Sequence, residues 1–129
     1  RGRFFQVIKN IGHEMLIRYC NIDYDREMAI VAEIRQGEKR RIIGIGRLVI
    51  EPDFKKGEFA VVVHDEYQRK GLGYKLVDMV IGIGQEKGLE KIYGLVLTDN
   101  KAMLRICDEL GFHRRDLSDG TTWVELSLK

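Results

Sequence analysis

The stretch VVVHDEYQRKGLGYKLVDMVIGIGQEKG, Val61 to Gly88, leaves this chain few folds to choose from. Three consecutive valines favour extended backbone, because β-branched side chains suit a pleated surface. Asp65 to Arg69 end the apolar run. Lys70, Gly71, Leu72 and Gly73 then open a segment in which Leu72, Leu76 and Val80 recur every four residues, with Val77, Ile81 and Gly84 alongside. That is the spacing of an amphipathic helix face, and Gly88 stands where a helix C-cap belongs. A strand that passes through a glycine turn directly into a helix is half of a layered α/β arrangement.

The turn has a chemistry of its own. A helix N-terminus leaves backbone N–H groups without partners, and with the helix dipole they favour an anion. Gly71 and Gly73 allow unusual φ and close approach of a ligand oxygen to the backbone. Arg69 and Lys70 add positive charge at the same place. Gln68 to Gly73 therefore suits phosphate oxygens, although spacing alone leaves open a tight turn that binds nothing. A Walker loop needs G-x-x-x-x-G-K-[ST], which the chain lacks. A dinucleotide fingerprint needs a third glycine where Leu76 stands, and the GIG strings at Gly44 and Gly82 fail the same test.

The remaining elements follow from periodicity. A helix is expected over His13 to Cys20, with Met15, Leu16 and Tyr19 on one face. Strands are expected over Met28–Ile34, Arg41–Ile50 and Glu58–His64. Gly44 and Gly46 inside the second of these imply a bulge or a close backbone approach. Lys91–Leu97 reads as a strand and Asn100–Leu110 as an amphipathic helix, with Met103, Leu104, Cys107 and Leu110 inward and Gly111 as its stop. Phe112–Leu117 and Thr121–Leu128 form a hairpin around SDG. The order is helix, three strands, helix, strand, helix and two strands. It implies an α/β fold, a mixed sheet in which an antiparallel meander meets a βαβ unit.

Composition bounds the function. The 129 residues suffice for one domain, 1–129, with a single core. A net charge of +2 is too small for a general nucleic-acid binder, and no apolar run has transmembrane length. Cys20 and Cys107 do not make a disulfide framework, so a reducing, cytoplasmic setting is the default. His13, His64 and His113 show no metal-ligand spacing with them, and no metal is expected. The chain begins at Arg1 rather than Met, and it is expected to be a fragment.

The string QRKGLG, Gln68 to Gly73, resembles the Q/R-x-x-G-x-G/A signature of the GNAT acetyltransferases. TDNKAMLRICDELGF, Thr98 to Phe112, is similar to the second signature of that family, an Asn opening a helix that ends in Leu-Gly-Phe. NIDYDREMAIVAEI, Asn21 to Ile34, resembles the catalytic domain of bacterial protein lysine acetyltransferases, which is often fused to an acyl-CoA synthetase-like region or a regulatory domain. The resemblance covers nearly the whole chain. It implies a GNAT-type sheet, mostly antiparallel and flanked by helices, with a splayed central strand pair, and acetyl-CoA as co-substrate.

By that resemblance, Val61, Val62 and Val63 offer backbone groups to the pantetheine arm where their strand splays from Tyr93–Leu97. The amides of Gln68, Arg69, Lys70, Gly71, Leu72 and Gly73 hold the pyrophosphate, and Asn100 reaches the pantetheine. Glu58 matches the general-base glutamate of the protein-acetylating branch. There are two departures. Cys107 stands where many GNAT enzymes place a tyrosine as general acid. The family's usual first strand has no match before Arg1, so it is missing or the sheet begins with Met28–Ile34.

Acyl transfer to lysine needs a neutral amine, and a lysine with a pKa of about 10.4 is almost wholly charged at pH 7. A base must therefore take a proton. Glu58 is the first candidate, with Asp23, Asp25 and Glu27 of the DYDRE cluster next and His64 behind them. Cys107 reads as a packed cysteine rather than a nucleophile. Two other readings stay open: a small-molecule amine acetyltransferase, and a CoA-binding sensor without catalysis, which has no need of Glu58.

Overall fold

The computed structural model describes residues 2–8, 15–23, 26–68 and 71–129. Eight strands occur among them: β1 (Gly2–Ile8), β2 (Met15–Asp23), β3 (Glu27–Gln36), β4 (Lys39–Ile50), β5 (Lys56–Val63), β6 (Lys91–Leu97), β7 (His113–Asp116) and β8 (Thr121–Ser127). Two helices join them, α1 (Leu72–Glu86) and α2 (Lys101–Glu109). All eight strands lie in one sheet, ordered β1-β2-β3-β4-β5-β6-β8-β7. Every neighbouring pair is antiparallel except β5–β6, which runs parallel because α1 carries the chain back across the sheet between them. The α/β class and the mixed, mostly antiparallel sheet agree with the sequence reading.

Two expectations at the N-terminal end are overturned. Residues 15–20 of the expected His13–Cys20 helix belong to β2, whose partner is β3 through Met15↔Ile34 to Asp23↔Glu27; His13 and Glu14 lie outside the described residues. Met15 and Ile17 are buried and Leu16 is only half-buried, an alternation with the period of a strand. Six residues with apolar positions at 15, 16, 17 and 19 satisfy either period, and a cross-strand partner decides. The sheet therefore does not begin at Met28, since β1 and β2 precede it.

The glycines of β4 explain how α1 lies down. A Cβ on Gly44 would sit 3.0 Å from Leu76 Cδ1 and 3.1 Å from Leu72 Cδ2, and one on Gly46 would meet Ile30 and Val80. Bare backbone lets the Leu72–Leu76–Val80 stripe press onto the sheet, the close approach that the sequence implied. The register opposite also shifts, between Ala32 and Glu33. Leu76 and Val77 are fully buried there with Ile30, Leu48 and Ile92. Burying side chains of this size contributes about 1.5–3 kcal/mol each. α2 packs on the first turn of α1, where a Cβ on Gly73 would stand 3.1 Å from Ile106 Cδ1. The other face of the sheet carries neither helix.

Candidate active site

β5 and β6 pair only at Lys56↔Lys91, Gly57↔Ile92 and Glu58↔Tyr93. Beyond that point β5 stays with β4 to Val63, and β6 stays with β8 to Leu97. The central pair splays, as the resemblance implied. The ladder phase shows which groups face the gap. His64 N–H donates to Ile43 O, so the residues hydrogen-bonded to β4 are Val62, Ala60 and Glu58. Val61 and Val63 therefore turn their N–H and C=O groups away from β4, into the gap. Gly94 sits where the strands part, and a Cβ there would lie 2.9 Å from the Phe59 carbonyl oxygen.

The gap opens into a cavity of about 560 Å³. Val61, Val62, Val63, Gln68, Gly71, Gly73 and Asn100, the residues that the resemblance named toward CoA, line it together. Arg69 and Lys70 lie outside the described residues. Leu72 differs: its side chain is buried against Gly44, so only its backbone is available to a ligand. Gly71 is the N-cap of α1 at φ +85°, and no side chain caps the helix among the described residues. The first intrahelical bond runs from Lys75 N–H to Gly71 O, which leaves the N–H groups of the first turn for another acceptor. Gln68 Nε2 donates to Val63 O at 3.1 Å and to Asp65 Oδ1 at 3.2 Å, tying the turn to the strand end. Asn100 Oδ1 accepts from Met103 N–H at 3.1 Å and caps α2, so the amide NH₂ is the part of Asn100 left to face the cavity.

Tyr74, Ala102, Met103, Arg105, Ile106 and Glu109 complete the lining; the sequence named Met103 only as an inward residue of its helix and singled out none of the others. All but Tyr74 sit on α2. Their membership follows from the seat of Ile106 on Gly73, a tertiary contact without a local signature.

Glu58 does not line this cavity. It lies at the last paired position before the strands part, with its side chain exposed on the face away from α1. Directly across, Tyr93 O–H donates to Glu51 Oε2 at 2.6 Å, and its ring stacks on Trp123 at 4.8 Å. That hydrogen bond, with burial and the Glu51 and Glu58 charges, pushes the Tyr93 phenol up to about 12. Among the described residues no cation pairs with Glu58 or Glu51, whereas Glu27 is paired with Arg47 and Glu125 with Lys91.

The other candidates separate from this centre. Glu27 is held by Arg47; the side chain of Asp23 and all of Asp25 lie outside the description. His64 faces Arg41, whose Nη2 is 2.8 Å from Nε2, and its Nδ1 accepts from Glu66 N–H, a surface network that fastens the turn after β5. Cys107 is fully buried on α2, and burial pushes its thiol up to about 11, which suppresses the thiolate a nucleophile needs. No cluster of three His, Cys, Asp or Glu suited to a metal occurs among the described residues.

The sequence pattern of the acetyltransferase (GNAT) family matches residues 4–112. A curated acetyltransferase of Pseudomonas aeruginosa is 32% identical over 120 residues, covering 92% of this chain and 64% of that protein. The acetyltransferase Pat of Mycolicibacterium smegmatis is 31% identical over 127 residues, covering 96% of this chain and 38% of that protein. The chain thus spans less than two thirds of either relative. Among solved structures, a cAMP-binding acyltransferase from Mycobacterium smegmatis superposes with a TM-score of 0.77 at 22% identity, over 99% of this chain and 48% of that one.

Proposed function

Because the chain belongs to the acetyltransferase (GNAT) family, we propose that it moves an acetyl group from acetyl-CoA to a primary amine, most simply the side chain of a protein lysine. The observation that carries this reading is the parting of β5 and β6 between a glycine-lined cavity on one side and, on the other, Glu58, a carboxylate with no paired cation among the described residues.

In this reading the pyrophosphate rests on the uncapped N–H groups from Gly71 onward, with Gln68, Arg69 and Lys70 beside it. The pantetheine lies along Val61 to Val63 and past Asn100. Glu58 takes a proton from the lysine ammonium, directly or through water. The neutral nitrogen attacks the thioester carbonyl, and the N–C bond forms as the C–S bond breaks. A backbone N–H of Val61 or Val63, aimed into the gap, meets the oxyanion. The nitrogen gives up its second proton to solvent as the amide forms, and the departing thiolate takes a proton from solvent, since Cys107 is buried and holds its own. The likeness to Pat supports protein lysine as the acceptor class, and, as the chain covers 38% of Pat, a larger protein as the setting; a regulatory or acyl-CoA synthetase-like domain there is what the resemblance of Asn21 to Ile34 implies. A cytoplasmic site fits acetyl-CoA as co-substrate.

Mass spectrometry of candidate acceptor proteins incubated with acetyl-CoA tests the proposal. Acetyl groups on lysine Nε are expected. CoA binding with no acetylated amine, on protein or polyamine, would leave a sensor and overturn the enzyme reading.

A further inference from the structure

Residues opposite one another in the sheet share a face. Ile45↔Val62 and Val49↔Glu58 across β4–β5, Glu58↔Tyr93 across β5–β6, and Leu95↔Trp123 across β6–β8 therefore place Glu58, Tyr93, Trp123 and a set of apolar side chains on the helix-free side. Those apolar side chains are far from buried: Val62 is 69% exposed, Leu97 62%, Leu95 53% and Ile45 40%. They stand on the two lips of the splay, Ile45 and Val62 on one and Leu95 and Leu97 on the other. An exposed apolar surface that surrounds an opening marks an interaction site more often than a solvated face.

The chemistry at the base of the splay identifies what fits. Glu58 and Glu51 have no cationic partner among the described residues, although their neighbours Glu27 and Glu125 do. Tyr93, held by Glu51 and stacked flat on Trp123, gives this end a fixed aromatic wall. A lysine matches both halves, with an ammonium for the carboxylates and a four-carbon stem for the rings. A polyamine matches only the first half, because it has no apolar side chains to set on the exposed Leu95 and Leu97. The spacing adds a requirement. Leu95 is two residues along β6 from Tyr93 and Leu97 is four, about 7 and 13 Å at the rise of a strand. An extended acceptor has the same rise.

We propose that this face docks a polypeptide acceptor in extended form, with its lysine ammonium at Glu58 and Glu51 and apolar side chains two and four residues away on Leu95 and Leu97. The inference rests on the acetyl-transfer reading and adds the surface and the sequence character of the acceptor.

The test uses two fluorescent peptides that differ only in carrying Leu or Ser at two and four residues from a central lysine, with spermidine as an amine lacking apolar neighbours. The chain is compared with Leu95→Asn/Leu97→Asn, both at exposed positions. CoA release reports turnover, and anisotropy reports peptide binding without turnover. Expected is at least a tenfold lower KM for the Leu peptide than the Ser peptide, lost in the double variant with kcat and spermidine turnover unchanged. Equal KM for the two peptides, or a preference that survives the double variant, would overturn the docking proposal while acetylation stands. A dimer that the double variant dissociates would also overturn it, by assigning the face to a second copy. Leu-dependent peptide binding without any acetylation would keep the docking surface and remove the enzymatic reading instead.

Discussion

At φ +85°, with no atom of the other described residues within 4 Å of an added Cβ, Gly71 isolates backbone conformation from packing. An L side chain in this region costs about 1–2 kcal/mol. Gly71→Ala should lower stability by that amount and weaken CoA at least tenfold in calorimetry, because the first N–H groups of α1 lose their aim at the pyrophosphate. Unchanged affinity in the folded variant would move the phosphates elsewhere. Gly73→Val is a less clean probe, since its side chain would press on Ile106. Gly71 and Gly73 were legible in the sequence because a turn into a helix is a local event. Glu51, Tyr93 and Trp123 were not, because their meeting requires four strands, β4, β5, β6 and β8, to be laid side by side.

The splay is a property of two elements. β5 and β6 separate at Gly94, which has the Phe59 carbonyl and ring against it. Gly94→Ala would drive a methyl group onto backbone that has little room to retreat, and overpacking of this kind costs about 1–3 kcal/mol. Gly82→Ala should do the opposite. It lies mid-helix in α1, where a Cβ would meet no described residue beyond its own helix backbone within 4 Å, and replacing a helical glycine gains up to about 1 kcal/mol. Urea midpoints of the two variants should therefore move in opposite directions; movement in the same direction would refute the packing read from the structure. α1, α2 and the strands from Glu27 onward were legible because each pattern is long or bounded by turn residues. β2 was misread as helix because its apolar run is short enough for either period, and its partner strand lies outside the local window.

For the whole molecule, the two raised pKa values set an alkaline limit. Burial holds the Cys107 thiol at about 11 against an ordinary 9.0. The hydrogen bond to Glu51, then burial and neighbouring charge, hold the Tyr93 phenol at about 12 against 10.0. In both cases the folded chain keeps a proton that the unfolded chain releases sooner. Their contribution is complete below pH 9 and is lost as pH rises through the window from 9 to about 12. Denaturation followed against pH should show stability falling there, with the lower part of the fall absent in Cys107→Ala.

Below that window the central claim can be measured without loss of the fold. Glu58→Gln keeps the shape of the side chain and removes its basicity, on a chain that should still bind CoA normally because the cavity does not include residue 58. The decisive measurement is kcat for lysine acetylation by Glu58→Gln and the unaltered chain between pH 6 and 9. Loss of a general base lowers the rate by roughly 10²–10⁴-fold. That deficit is expected at pH 7 and should shrink toward pH 9, as more of the amine becomes neutral unaided. A kcat at pH 7 close to that of the unaltered chain, with only KM raised, would contradict the assignment and leave Glu58 as a residue that steers the cationic lysine.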